Sequence, residues 1–179
     1  TYGAAIVNAA GAVWEATGTW GIQNQSGVST LGNAGTLRKS GSGALALSGV
    51  ALTNTGTLEL AGGTVSVSSA SSTGVLSVAA GQTLQLANFT LGAGTTFTGG
   101  GGLHLTGTLT VTVPLTVTRP LTFDGGEITG TGSVAFAAPT AWSAGTLGPG
   151  GGVTVAAGAT LTQTNVVALT APLTNQGTV

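Results

Sequence analysis

Apolar residues return along this chain at intervals of 18 to 21 residues, and this spacing constrains the fold more than any other feature. They form three interleaved series that share one period. The first series is Leu37, Leu58, Leu76, Phe97, Leu115, Val134, Val153 and Leu173. The second is Leu45, Val65, Leu84, Leu103, Leu121, Trp142 and Leu161, and the third is Leu52, Ala70, Phe89, Leu109, Ile128, Leu147 and Val167. Such a period is typical of a solenoid, in which each coil buries its apolar face against the next.

Within one period, short segments alternate apolar residues with Thr, Ser or Gln, as in 44–47, 57–60 and 64–67. This alternation predicts strands, and the glycine-containing stretches between them predict corners. No window has a helical period, and the constant spacing argues against a sandwich. We therefore predict a right-handed parallel β-helix with three short strands per coil of about 19 residues and about nine coils. At ~4.8 Å per coil, the rod would be roughly 43 Å long.

The period runs through most of the chain, which predicts a single solenoid domain over residues 1–179. Its phase is weakest before residue 35 and near 99–102, so 1–35 are expected to form less regular first coils. The chain begins with Thr rather than Met, and 175–179 repeats the pattern of 33–37. These two features predict a segment of a longer repetitive chain.

Charged residues make up only 4% of the chain, and the formal net charge is −1. An ordinary soluble domain has about 25%. There is no basic patch to attract nucleic acid, and there is little repulsion to oppose self-association. The chain has no cysteine, which excludes disulfides and cysteine metal sites. It also has no apolar run long enough for a transmembrane helix.

The few ionisable residues do not assemble into a recognisable catalytic motif. Asp124 and Glu127 flank a Gly-Gly pair, which predicts a solvated corner rather than a catalytic carboxylate pair. His104 lies between two inward leucines, so it should point outward, and it has no acidic partner in phase for a triad. Arg38 and Lys39 are expected to form a salt bridge or to be solvated, and solvation is favoured. We predict no catalytic, cofactor-binding or metal-binding residues and no cofactor.

The tryptophans are the remaining candidates for a binding surface. Trp142 falls in the second apolar series, which favours a place in the core. Trp14 and Trp20 lie in the loosely phased start of the chain. Either they cover the end of the core, or one of them exposes a ring to a ligand, which makes this pair the candidate surface-binding residues.

Threonine-rich strands could also order water, as in ice-binding solenoids. Thr-X-Thr occurs in 108–113 and again in 115–118. These are consecutive strands, so the motif is not expected on one face through all coils, and this argues against ice binding.

Several segments resemble the repeats of very large secreted bacterial proteins, namely autotransporter passengers and filamentous-haemagglutinin-type adhesins. These segments are 18–24 (Gly-Thr-Trp-Gly-Ile-Gln-Asn), 31–41, 52–60, 63–67, 142–148 and 153–161. The resemblance implies a β-helical stalk, adhesin or fibre at the cell surface or outside the cell, and it brings no catalytic residues. This chain departs from the family by its low charge and by the lack of obvious caps.

The sequence thus favours a non-enzymatic structural module of an extracellular bacterial surface or filament protein. Such a module would form a rigid rod that stacks or self-assembles end to end, or associates laterally with its own copies. The alternative is an adhesin module that binds glycans or a host surface. A polysaccharide-active β-helix enzyme and an ice-binding solenoid are the remaining hypotheses.

Overall fold

The computed structural model describes residues 3–25 and 27–179 and shows an all-β solenoid of parallel strands. It has about 8 turns with coils of about 20 residues, in place of the predicted nine turns of about 19. The first coil accounts for part of the difference, because ladder-equivalent Asn8 and Asn33 are separated by 25 residues. No helix occurs in the described residues. At ~4.8 Å per coil, the rod is roughly 38 Å long.

The described residues form twenty strands. The first ten are β1 (Ala5–Asn8), β2 (Val13–Ala16), β3 (Trp20–Gln23), β4 (Ser29–Asn33), β5 (Thr36–Lys39), β6 (Ala44–Asn54), β7 (Thr57–Leu60), β8 (Thr64–Ser72), β9 (Val75–Val78) and β10 (Thr83–Leu91). The others are β11 (Thr96–Thr98), β12 (Gly102–Val111), β13 (Leu115–Val117), β14 (Leu121–Thr129), β15 (Val134–Phe136), β16 (Thr140–Leu147), β17 (Val153–Val155), β18 (Leu161–Gln163), β19 (Ala168–Leu169) and β20 (Leu173–Asn175).

The central coils have two strands each, where the sequence predicts three. One strand is long and bent, as in β6, β8, β10, β12, β14 and β16, and the other is short. The second and third apolar series lie on the two arms of the long strand. A shift in register marks several of these bends, as between Leu47 and Ala51 of β6. The chain bends there as at a β-bulge while the strand continues, so this corner does not divide it.

The strands stack into three parallel sheets. The long strands form an 11-stranded sheet together with β1, β3, β4, β18 and β19. The short strands form a 5-stranded sheet in the order β11-β9-β7-β5-β2 and a 4-stranded sheet in the order β13-β15-β17-β20. The 5-stranded sheet ends at β11, and the 4-stranded sheet begins at β13. Residues 99–102, where the sequence period is weak, lie in the chain segment between these two strands.

The first apolar series is confirmed on both sides of this division. Leu37 lies beside Leu58, and Leu58 lies beside Leu76. In the second half, Val134 lies beside Val153. All five side chains are at most 2% exposed. Vertical stacking of apolar residues therefore builds one continuous core along the axis.

The second series is wrong by two residues at Trp142, because Thr140 is the residue that lies beside both Leu121 and Leu161. Trp142 lies beside Phe123. A shift of two keeps a side chain on the same face of a strand, so Trp142 still points inward and is 3% exposed. Its ring stacks on that of Phe123, with centroids 5.9 Å apart and planes at 7°. The predicted core position of Trp142 is confirmed.

The last coil also departs from the predicted phase. Leu147 lies beside Leu169 rather than Val167. Segment 175–179 resembles 33–37 in sequence but occupies a different corner, because Thr178 forms a bridge with Thr160 ahead of β18. Segment 33–37 instead joins β4 to β5. Local sequence similarity therefore does not determine which corner a segment forms.

Candidate functional site

A ladder of buried polar side chains runs along one corner of the first coils, where the long strands end. The Nδ2 group of Asn8 donates to Oδ1 of Asn33 (2.7 Å), and Nδ2 of Asn33 donates to Oδ1 of Asn54 (2.7 Å). The ladder ends at Ser72, whose Oγ accepts from Nδ2 of Asn54 (3.1 Å). All four residues are at most 6% exposed. We call these four residues the asparagine ladder.

Each amide of the ladder makes a second hydrogen bond to the backbone of the following coil. Nδ2 of Asn8 donates to the carbonyl of Thr36 (3.0 Å), and Nδ2 of Asn33 donates to that of Thr57 (2.9 Å). Nδ2 of Asn54 does the same to the next short strand. An amide NH₂ has two donors, and both are used. The ladder thus has one direction, with every amide donating toward the coil of higher number.

This ladder was not predicted from the sequence. The sequence nevertheless contains a sign of it, because Asn33 and Asn54 each lie two residues after an inward leucine and must therefore face inward too. A hydropathy pattern counts asparagine as a polar residue and places it outside. The hydrogen-bond partners of these amides come from neighbouring coils, so only the stacking of coils reveals that they are satisfied.

We expect Asn33→Leu to lower the free energy of unfolding by about 2–4 kcal/mol, because buried acceptors on Asn54 and Thr57 lose their donor. Chemical denaturation followed by circular dichroism measures this loss. Thr30→Val, on the exposed face of the same strand, is the control and should change the value by less than about 0.5 kcal/mol. Equal effects of the two changes would mean that the ladder contributes nothing specific to stability.

Strand alternation sends the side chains of Arg38 and Lys39 in opposite directions, so the favoured prediction of solvation is wrong for Lys39, whereas Arg38 forms the alternative salt bridge. Arg38 points outward, and its Nε donates to Oε2 of Glu59 (2.8 Å). This hydrogen bond, and then the charge of Glu59, raise the pKa of Arg38. Lys39 lies beside Leu60 in a core position and is 0% exposed. Its ammonium group donates to the corner carbonyls that follow it, including that of Gly41 (3.0 Å).

His104 has an acidic partner, which corrects the sequence prediction. Nε2 of His104 lies 2.7 Å from Oδ1 of Asp124. Thr122 is the residue beside His104 in the next coil. Asp124 lies two positions after Thr122, so its side chain is on the same outer face and close enough to contact His104 diagonally. Within the described residues, no hydroxyl group is hydrogen-bonded to this imidazole, so the pair lacks the nucleophile of a triad. Glu127 lies on the other arm of β14, beside Thr108.

No group of three or more histidine, aspartate or glutamate side chains that could hold a metal occurs in the part of the chain that the structure describes. Among the described residues, the structure thus forms the Arg38–Glu59 ion pair, the His104–Asp124 hydrogen bond and the asparagine ladder.

Trp14 and Trp20 lie in the first coil, on β2 and β3. Their ring centroids are 5.2 Å apart in an edge-to-face arrangement at 66°. Both rings are half-buried and pack against the core. The surface-binding role of this pair stays a prediction.

The first coil also contains an open cavity of about 230 Å³. It is lined by Ala4, Ile6, Ile22, Gln23, Asn24, Gln25 and Ser29. Typical small-molecule pockets have volumes of about 300–1,000 Å³, so this cavity is small for a ligand site.

Hydroxyl groups form a regular row on the outer face of the long-strand sheet. The row is Thr53, Ser71, Thr90, Thr110 and Thr129, each beside the next. The parallel row two residues earlier is mixed, since it contains Asn88, Thr108 and Glu127. The Thr-X-Thr pair is therefore not repeated from coil to coil on this face.

The exposed large apolar side chains among the described residues lie in or next to the first and last coils and are Val7, Val13, Val28, Val166, Leu169 and Val179. Val7 and Val13 alternate with the inward Ile6 and Trp14, so they face outward on the side of the first coil. Strands that pair on one side only include β1, β2, β18 and β20 in the first and last coils and β11 and β13 in the middle of the rod. Asn8 is the first ladder residue, and no described group donates to its Oδ1.

Comparison with protein families, curated proteins and solved structures finds no match to this chain. In the described residues, no helix has the length and apolarity needed to cross a membrane.

Proposed function

We propose that this chain is a non-enzymatic structural module, a rigid rod that stacks end to end within an extracellular filament or surface protein of a bacterium. One observation carries the proposal: the stacked coils build one continuous apolar core along the axis, which makes the chain a rod of parallel strands. An unpaired edge of such a strand is a template for pairing with another strand. The resemblance to secreted surface repeats supports the location.

Along the sides of the rod, every strand of the long-strand sheet from β4 to β16 is hydrogen-bonded to a strand on each side, and the outer face carries hydroxyl groups. The net charge of −1 gives little electrostatic repulsion between copies. Both features favour association by strand pairing along the axis.

The other functions are less well supported by the contacts. A glycan-binding adhesin would need an accessible aromatic platform, whereas the half-buried rings of Trp14 and Trp20 pack on each other. A polysaccharide-active enzyme would need a cluster of acids, and Asp124 is engaged with His104. An ice-binding face would need a Thr pair in each coil.

We expect the wild-type protein to associate as its concentration rises and to form rods whose length increases in steps of roughly 38 Å. Sedimentation velocity gives the association constant, and negative-stain electron microscopy gives the lengths. Leu169→Lys should weaken association at least tenfold, because stacking would bury a charge at an inward position of the last coil.

Thr116→Lys provides the control, since Thr116 is exposed on the outer face in the middle of the rod and its replacement should leave association unchanged. A single species at all concentrations, or equal weakening by both lysine variants, would contradict end-to-end stacking.

A further inference from the structure

We infer that the rod has a built-in opening point in its middle, where the short-strand side separates between β11 and β13 while the long-strand sheet holds the two sections of the rod together. The first section contains β1 to β11, and the second contains β12 to β20. This inference goes beyond the proposed function and does not depend on whether copies of the chain stack.

The backbone pairing at the boundary between the two sections is complete on one side of the rod and interrupted on the other. On the long-strand side, β10 pairs with β12 from its first residue to its last, with one shift in register. On the short-strand side, β11 pairs with β9 and β13 pairs with β15, but no ladder joins β11 to β13. These two strands do not pack closely on each other either. Both unpaired edges lie in the middle of the rod, with paired coils on either side.

The apolar core is thinner at the same level on the short-strand side. Phe97 on β11 is only half-buried, although it lies beside Leu76, which is 0% exposed. The next inward position is occupied by Val78 on β9 and by Val117 on β13, whereas Gly99 follows β11. Gly99 lies directly against the backbone of Val78 and contributes no side chain. Fewer apolar contacts therefore oppose local opening here than in the neighbouring coils.

The corner between long and short strands also changes at this boundary. It has two residues after β4, β6 and β8, and three to five after β10, β12, β14 and β16. The asparagine ladder ends at Ser72, and the residues that continue its position are Leu91 and Val111. At this corner, the N–H and hydroxyl groups of Thr112 both donate to the carbonyl of Leu91 (3.2 Å each). This link lies at the end of the long strands, so it holds the hinge and leaves the short strands free to separate.

The long-strand sheet thus acts as the hinge, and the short-strand side is the edge that opens. Separation would uncover Phe97 and Leu115, which are inward residues of the two unpaired strands and lie against the core. Burial of these side chains favours the closed form, so opening is transient and reversible. A load that bends the rod would be relieved at this point first, without breaking the ladders within either section.

The chain has no cysteine, so two substitutions place a pair of spin labels across the boundary. Ser77→Cys on β9 and Ala135→Cys on β15 lie on the outer face of the short-strand side, one strand beyond the boundary in each direction. At ~4.8 Å per coil, the labelled backbones are roughly 14 Å apart or more. Dipolar broadening of the EPR spectrum, recorded on the monomeric protein in frozen solution, gives the distribution of this distance. We expect a distribution at least twice as wide as that of either control pair.

Two control pairs span the same number of coils. Thr36→Cys with Thr96→Cys lies on the short-strand side, wholly within the first section. Ser66→Cys with Thr122→Cys crosses the boundary on the long-strand side, at exposed positions of β8 and β14. Circular dichroism of each labelled variant checks that the β fold is retained.

A Thr36–Thr96 distribution as wide as that of Ser77–Ala135 would overturn the inference, because the short-strand side would then open no more at the boundary than elsewhere. An equally wide Ser66–Thr122 distribution would overturn it too, since the long-strand sheet would then not be a hinge. These outcomes leave end-to-end stacking untouched, because that proposal is tested by sedimentation of the unlabelled protein.

Discussion

Leu84→Asp is expected to lower the free energy of unfolding by at least about 4 kcal/mol. Leu84 is 1% exposed in the middle of the rod and lies beside Leu103 in the next coil. The substitution removes a packed leucine and places a carboxylate among apolar side chains of the core. Chemical denaturation followed by circular dichroism gives the change.

Thr110→Ser is the matched control for this substitution. Thr110 lies on β12 of the same sheet, half-buried on the outer face, and serine retains its hydroxyl group. The expected change is less than about 0.5 kcal/mol. An unfolding transition of Leu84→Asp that coincides with that of the wild type would mean that Leu84 does not face the core.

Gly56→Ala is expected to lower the free energy of unfolding by about 3 kcal/mol. Gly56 lies at the corner between β6 and β7, directly against the backbone of the previous coil. A Cβ atom there would overlap the carbonyl oxygen of Gly35, and Gly74 stands in the same relation to Gly56. The backbone at this corner is hydrogen-bonded to the previous coil and cannot move away without breaking these backbone hydrogen bonds.

Gly125→Ala separates this steric effect from the general cost of replacing glycine. A Cβ at Gly125 would have no atom within 4 Å. Its thermal unfolding midpoint should stay close to that of the wild type, whereas that of Gly56→Ala should fall by several degrees. If the two variants unfold at the same temperature, the coils are not in close contact at the Gly56 corner.

The sequence by itself determines the solenoid and most of its core. Leu37, Leu58 and Leu76 stack as the period predicts, because a constant coil length places equivalent residues one above the other. Burial was also robust to errors of register: Trp142 is shifted by two residues from its predicted neighbour and is still inside. A strand has a side-chain period of two, so such a shift exchanges neighbours without exchanging faces.

Only the tertiary structure decided which polar side chains meet. The acidic partner of His104, the carbonyl groups around Lys39 and the amides of the asparagine ladder each depend on how a corner folds or on which residue of the next coil lies alongside. Coil length varies from 18 to 25 residues. The sequence therefore does not specify which residue of the next coil lies beside a given side chain, and an error of even one residue is larger than the reach of a hydrogen bond. Apolar contacts tolerate that uncertainty because they have no direction, whereas a hydrogen bond requires one donor and one acceptor at about 3 Å.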